Sequence, residues 1–156
     1  MRYTLMSQGH ALGRTGVELP PPAPGMRSWH FIPAPAFAET APLFAALPAA
    51  IEDSQEAIPT QGELEAIPEA ERQERARAMI LADPRMARFL ELSEQLEALE
   101  LELVDAGGAR LTTTTIGVTE LEITADAMRN VLATVDANAD LSAATAPPFY
   151  LLVAGI

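Results

Sequence analysis

The sequence predicts an α+β domain, built on a mostly antiparallel sheet with helices packed on one face. Strand-like segments come first in the chain, and a helix-hairpin-helix-strand order follows them. Within residues 83–115 the spacing of apolar residues changes from three or four to two, which indicates a helix that leads into a hairpin. A length of 156 residues fits a single domain, 1–156, with one core.

The beginning of the chain consists of extended segments joined by prolines. Residues 3–7 and 10–19 predict an opening hairpin, and residues 26–32 predict a third strand. Proline fixes its own backbone angle and lacks an N–H group, so it favours an extended connection. We therefore expect a proline-rich connector at about 20–35, formed by Pro20, Pro21, Pro22, Pro24, Pro33 and Pro35.

Helical spacing dominates the next part of the chain. Residues 36–52 predict a helix that starts near Thr40 and is limited in length by Pro42 and Pro48. Thr60 has capping-box spacing to a glutamate three residues later, which predicts another short helix. A further helix is expected over 69–82, with Met79 and Ile80 near its end packing on the core.

The middle of the chain carries the clearest pattern. Asp83 followed by a proline is a helix start signal. Beyond that helix, leucines and glutamates alternate, and a turn at 105–108 predicts a return strand over 109–115. We expect Leu101 and Leu103 to be buried, and the intervening glutamates Glu100 and Glu102 to be exposed.

The last part of the chain predicts one more helix between two strands. Gly117 suggests a bulge before a strand that contains alternating apolar residues. Thr124 is the expected N-cap of a helix that ends near Asn138. The apolar run 149–153 then reads as a strand buried on both sides.

Composition excludes several chemistries. Net charge is −12, and residues 52–106 hold 15 acids against 5 arginines, so a nucleic-acid partner is not expected. Lysine and cysteine are absent, which removes Schiff-base lysines, P-loop lysines, thiol nucleophiles and disulfides. No run of about 20 apolar residues predicts a transmembrane segment, and no secretory signal is visible, so a cytoplasmic location is the expectation.

No motif predicts a metal, a cofactor or a catalytic residue. His10 and His30 are the only histidines, and neither has a second ligand at a diagnostic spacing. Asp136, Asn138 and Asp140 resemble the opening of a calcium loop, but the glycine and the final glutamate that such a loop needs are missing.

These observations favour a non-catalytic accessory or structural subunit that packs on a larger protein or protein complex. Trp29, Phe31 and Phe37 are the expected interface anchors, because aromatic residues contribute a large share of interface energy and the prolines beside these three pre-order the backbone. The same three rings fit the core of the domain equally well. Two alternatives are an acidic inhibitor or immunity-type protein that binds a basic partner, and a small enzyme.

Overall fold

A computed structural model describes residues 1–156, and the chain divides into two compact units. The sheet unit comprises residues 1–44 and 99–156, and the helical unit comprises residues 45–98. The helical unit overlaps most of the acidic stretch 52–106. The strands are β1 (Tyr3–Ser7), β2 (His10–Leu19), β3 (Met26–Pro33), β4 (Leu101–Asp105), β5 (Arg110–Leu111), β6 (Thr115–Leu121) and β7 (Phe149–Gly155). The helices are α1 (Phe37–Glu56), α2 (Gln61–Glu65), α3 (Arg72–Ala82), α4 (Pro84–Ala98) and α5 (Ala125–Val135).

All seven strands form one antiparallel sheet in the order β5-β4-β1-β2-β3-β7-β6. The two edge strands are consecutive in the chain and are joined only by residues 112–114. Four Cα steps reach at most about 14 Å, whereas a flat sheet of seven strands is about 29 Å wide. The sheet must therefore curl into a half-barrel, and this is the form it takes. The α+β class and the antiparallel sheet are confirmed.

Alternating residues place two clusters on opposite faces of the curled sheet. One face carries buried side chains from five strands: Leu5, Leu103, Trp29, Leu152 and Val118. Phe37, at the start of α1, packs on this face against Phe31 and Tyr150. The opposite face carries Phe149, which clusters with Met128 and Leu132 of α5. Helices thus contact both faces of the sheet, where the sequence predicted one.

Local signals placed most element ends correctly. The strands β1, β2 and β3 and the starts of α2, α4 and α5 lie where the sequence predicts them. Thr60 and Thr124 each accept a hydrogen bond from the backbone N–H three residues later, at 3.3 Å and 3.2 Å. The helix α1 differs, because it begins three residues before Thr40 and continues to Glu56. Pro42 and Pro48 each remove one backbone hydrogen bond, but the helix continues through both.

The predicted hairpin over 99–115 is confirmed only in its first strand and turn. Leu103 is fully buried and Glu100 is exposed, but Leu101 and Glu102 are both half-buried. The return strand β5 has only two residues, because the chain leaves for the opposite edge of the sheet after Leu111. No bulge occurs in β6, which pairs with β7 without a register shift.

The helical unit has a thin core. Its buried residues are Ala50, Ser54, Ala57 and Leu92. A single 3₁₀ turn at Glu69–Glu71 precedes α3, and Arg75 of α3 forms an ion pair with Glu71 at 3.2 Å. Met79 is exposed, so its predicted place in the core is wrong. None of the helices combines the length and the apolar character that a bilayer-spanning segment requires.

Candidate functional site

The three aromatic rings that the sequence offered as interface anchors lie in the core of the sheet unit. Trp29, Phe31 and Phe37 are 0%, 1% and 3% exposed. The ring of Phe37 contacts those of Phe31 and Tyr150 edge-on, with centroids 5.3 Å and 5.1 Å apart. Because they are enclosed by the chain's own side chains, these rings offer no surface to a partner of the folded unit. The structure thus places them in the core, as the other interpretation of the sequence expects.

An ion pair lies against the ring of Trp29. The guanidinium of Arg27 lies 4.8 Å from the centroid of the Trp29 ring and 5.8 Å from that of Tyr3. It also donates two hydrogen bonds, of 2.8 Å and 2.7 Å, to the carboxylate of Glu18. These bonds lower the pKa of Glu18, and the indole N–H of Trp29 adds weakly to this effect without forming a hydrogen bond of normal geometry. Arg27 therefore packs on the ring of Trp29 and bonds both carboxylate oxygens of Glu18.

The two histidines lie far apart. His10 is exposed at the start of β2, whereas His30 is buried in β3 opposite the segment near Gly16. Six residues of strand separate His10 from Gly16, which corresponds to about 20 Å. No three His, Asp or Glu side chains are arranged to hold a metal ion.

The residues that resemble a calcium loop form local turns. The Oδ1 atom of Asp136 accepts a hydrogen bond from the backbone N–H of Asn138, and that of Asp140 accepts one from Ser142, both at 3.0 Å. These Asx-type bonds are common where a helix ends in a polar loop. The three residues therefore stabilise the chain that follows α5.

A cavity of about 390 Å³ opens on the face of the sheet that also carries Phe149. His30 lines it although its side chain is only 3% exposed, and the ring of Phe149 packs beside it with centroids 6.5 Å apart. A Cβ atom at Gly16 would lie 3.3 Å from Nδ1 of His30, closer than an ordinary van der Waals contact, so glycine lets β2 pack directly against the ring. Burial, followed by the charge of Arg14, lowers the pKa of His30, which keeps the imidazole neutral near pH 7.

No protein-family model, curated protein or solved structure significantly matches this chain.

This cavity is here called the His30 cavity. The acidic and the basic side chains that line it differ in whether they have a hydrogen-bond or ion-pair partner. Its acids are engaged: Glu18 by Arg27, and Asp136 and Asp140 by backbone N–H groups. The side chains of its arginines, Arg2 and Arg14, form no ion pair and no hydrogen bond. Asp136 and Asp140 each keep one carboxylate oxygen outside these bonds, so the cavity combines two carboxylates with two guanidiniums that have no ion-pair partner.

A second candidate surface belongs to the helical unit. Neither α2 nor α3, nor the 3₁₀ turn before α3, contains a buried residue. The unit exposes five large apolar side chains, which are Ile51, Ile58, Met79, Leu81 and Leu90. Half of the ten large apolar side chains that the chain exposes therefore lie in this unit of 54 residues.

Sequence reasoning considered His30 but missed the side chains around it. Arg14 and Gly16 lie two residues apart in β2 and so share the face on which His30 lies. That grouping is visible in the sequence only once the register between β2 and β3 is known. Asp136 and Asp140 join from a loop whose path no local pattern predicts.

Proposed function

We propose that this chain is a non-catalytic accessory protein that packs on a larger protein or complex through its helical unit. One observation carries the proposal: three successive helical segments bury no residue, while the same unit exposes five large apolar side chains. Helices of this length are marginal in water without an apolar face packed against something. A partner surface would supply that packing.

Charge indicates what the partner surface contains. The helical unit holds 12 acids and 5 arginines, a net charge of −7. Four ion pairs within the unit engage Glu56, Glu71, Asp83 and Glu91, which leaves most of the carboxylates without a cation. We therefore expect an apolar partner surface with basic residues at its rim, because complementary charge speeds association and excludes wrong partners.

The test uses the full chain. A partner isolated with it from native cells is purified, and its affinity is measured for the wild type, Ile58→Gln and Leu81→Gln. Both residues are 56% exposed, so the fold should be retained. Each change should weaken binding by about 2 kcal/mol, or about 30-fold, if the side chain is an anchor.

Val131→Gln is the matched control, because Val131 is an apolar helical residue of the sheet unit that is 44% exposed. It should leave the affinity unchanged within about twofold. Equal losses for all three variants, or tight binding by both Ile58→Gln and Leu81→Gln, would reject the helical unit as the docking surface.

The acidic-inhibitor function remains the second candidate, favoured by the excess of carboxylates in the helical unit. The dependence of binding on salt concentration separates these two candidate functions. Surface charges are screened over about 8 Å at physiological ionic strength, so binding dominated by them should weaken steeply as salt is raised. Binding dominated by the apolar side chains should change little. A steep loss with salt, together with no effect of Leu81→Gln, would favour the inhibitor.

A further inference from the structure

We propose that the His30 cavity binds a small organic molecule through a carboxylate or phosphate group. This site lies within the sheet unit and is independent of the docking surface proposed for the helical unit. Its volume of about 390 Å³ lies in the range of small-molecule sites and exceeds what a bare inorganic ion would fill.

The partnering of the charged groups determines the sign of the ligand. Arg2 and Arg14 both line the cavity, and neither side chain has an ion-pair or hydrogen-bond partner. A guanidinium presents donors in a planar fork that suits a carboxylate or phosphate. Asp140 lies within the field of both arginines, but its Oδ1 already accepts the N–H of Ser142. An anionic ligand would therefore pair with the guanidinium groups of both arginines without displacing an existing ion pair.

His30 gives the site a buried polar group that is aimed into the cavity. The ring forms no hydrogen bond, although its side chain is 97% buried. Among the side-chain nitrogens and oxygens, only Nε1 of Trp29 is both sealed from solvent and without a partner. The ring nitrogens of His30 form no hydrogen bond and are therefore not sealed. Because His30 lines the cavity, these nitrogens reach it. A neutral imidazole offers one donor and one acceptor. It would thus bind a polar atom of the ligand next to the anionic group.

The experiment uses the two histidines as reporter and internal control. The ring proton signals of His30 and His10 are followed by NMR at constant pH and ionic strength while succinate or glycerol 3-phosphate is added, with sodium chloride as the reference salt. The His30→Gln variant assigns the two signals. We expect the His30 signal to move saturably, with a dissociation constant of about 1 mM or tighter, and the signal of the exposed His10 to stay in place.

Arginine variants test the site itself. Arg14→Gln and Arg2→Gln should each weaken binding roughly tenfold, because each removes a charged hydrogen-bond donor. Arg77→Gln is the matched control, since Arg77 is an exposed, unpaired arginine of the helical unit and its loss changes net charge equally. Saturation by only one probe assigns the phosphate or the carboxylate class. Equal, linear shifts of both histidines, no saturable shift with either probe, or equal effects of Arg14→Gln and Arg77→Gln would overturn the proposal.

Discussion

Replacing Phe37 by alanine should unfold the sheet unit more easily without altering any binding surface. The ring is almost fully buried, and its centroid lies 5.1 Å from that of Tyr150, 5.3 Å from Phe31 and 5.9 Å from Phe44. Burial of such a ring contributes about 1.5 to 3 kcal/mol, and each aromatic pair contributes about 0.5 to 1.5 kcal/mol more. Since these contributions overlap, we expect Phe37→Ala to lower the free energy of unfolding by about 3 to 5 kcal/mol.

The fluorescence of Trp29 provides an assay for unfolding of the sheet unit. It is the only tryptophan and is fully buried, so its fluorescence should change when the sheet unit unfolds in urea. Phe37→Leu keeps most of the apolar volume and loses only the ring pairs, so a smaller loss of about 1 to 2 kcal/mol is expected. The exposed control Val131→Ala should change stability by less than about 0.5 kcal/mol. A loss below about 1 kcal/mol for Phe37→Ala would refute the assignment of this ring to the core.

Three further predictions concern charge and capping. Burial lowers the pKa of His30 in the folded state. Below about pH 6.5 the unfolded state therefore binds a proton that the folded state does not. The free energy of unfolding should fall on acidification, by up to about 1.4 kcal/mol per pH unit. Arg27→Ala should destabilise more than Glu18→Gln in urea unfolding, by about 1 kcal/mol, because only Arg27 covers the ring of Trp29. Thr124→Ala should lower the free energy of unfolding by about 1 kcal/mol through loss of the N-cap.

Each of these has a distinct control. His30→Gln should flatten the stability profile between pH 6.5 and the lowered pKa, and an unchanged slope would contradict the first. Equal losses for Arg27→Ala and Glu18→Gln would show that the ion pair, and not the packing on the indole, is what matters. Thr124→Ser retains the hydroxyl acceptor and should restore most of the loss; if it does not, the cap is not the cause.

Local chemistry explains what the sequence predicted well. The hydroxyl of Thr124, the proline after Asp83 and the turn between β1 and β2 act through neighbours in the chain, and each lies where it was expected. The curl of the sheet depends instead on pairings between distant segments, such as that of Trp29 with Leu152. No window of the sequence contains both partners, so the curl and the short β5 could not be read from it.

The candidate sites show the same division. Burial of Trp29 and Phe31 could not be separated from an interface role until β3 was known to lie inside the sheet. The His30 cavity needs the β2–β3 register and the loop after α5 at once. Exposure of Met79 was missed because its spacing fits an apolar helix face, and spacing cannot show whether anything packs on that face.

The position of β7 has a consequence for synthesis on the ribosome. Residues 149–155 form neither edge of the sheet but pair on one side with β3 and on the other with β6. Until this segment leaves the exit tunnel, β3 presents an open edge that includes Trp29 and Phe31, and β6 has no strand partner. Such unpaired edges attract other chains. The nascent chain should therefore be prone to association through these edges until Gly155 has emerged, and a chaperone that covers them should reduce that association.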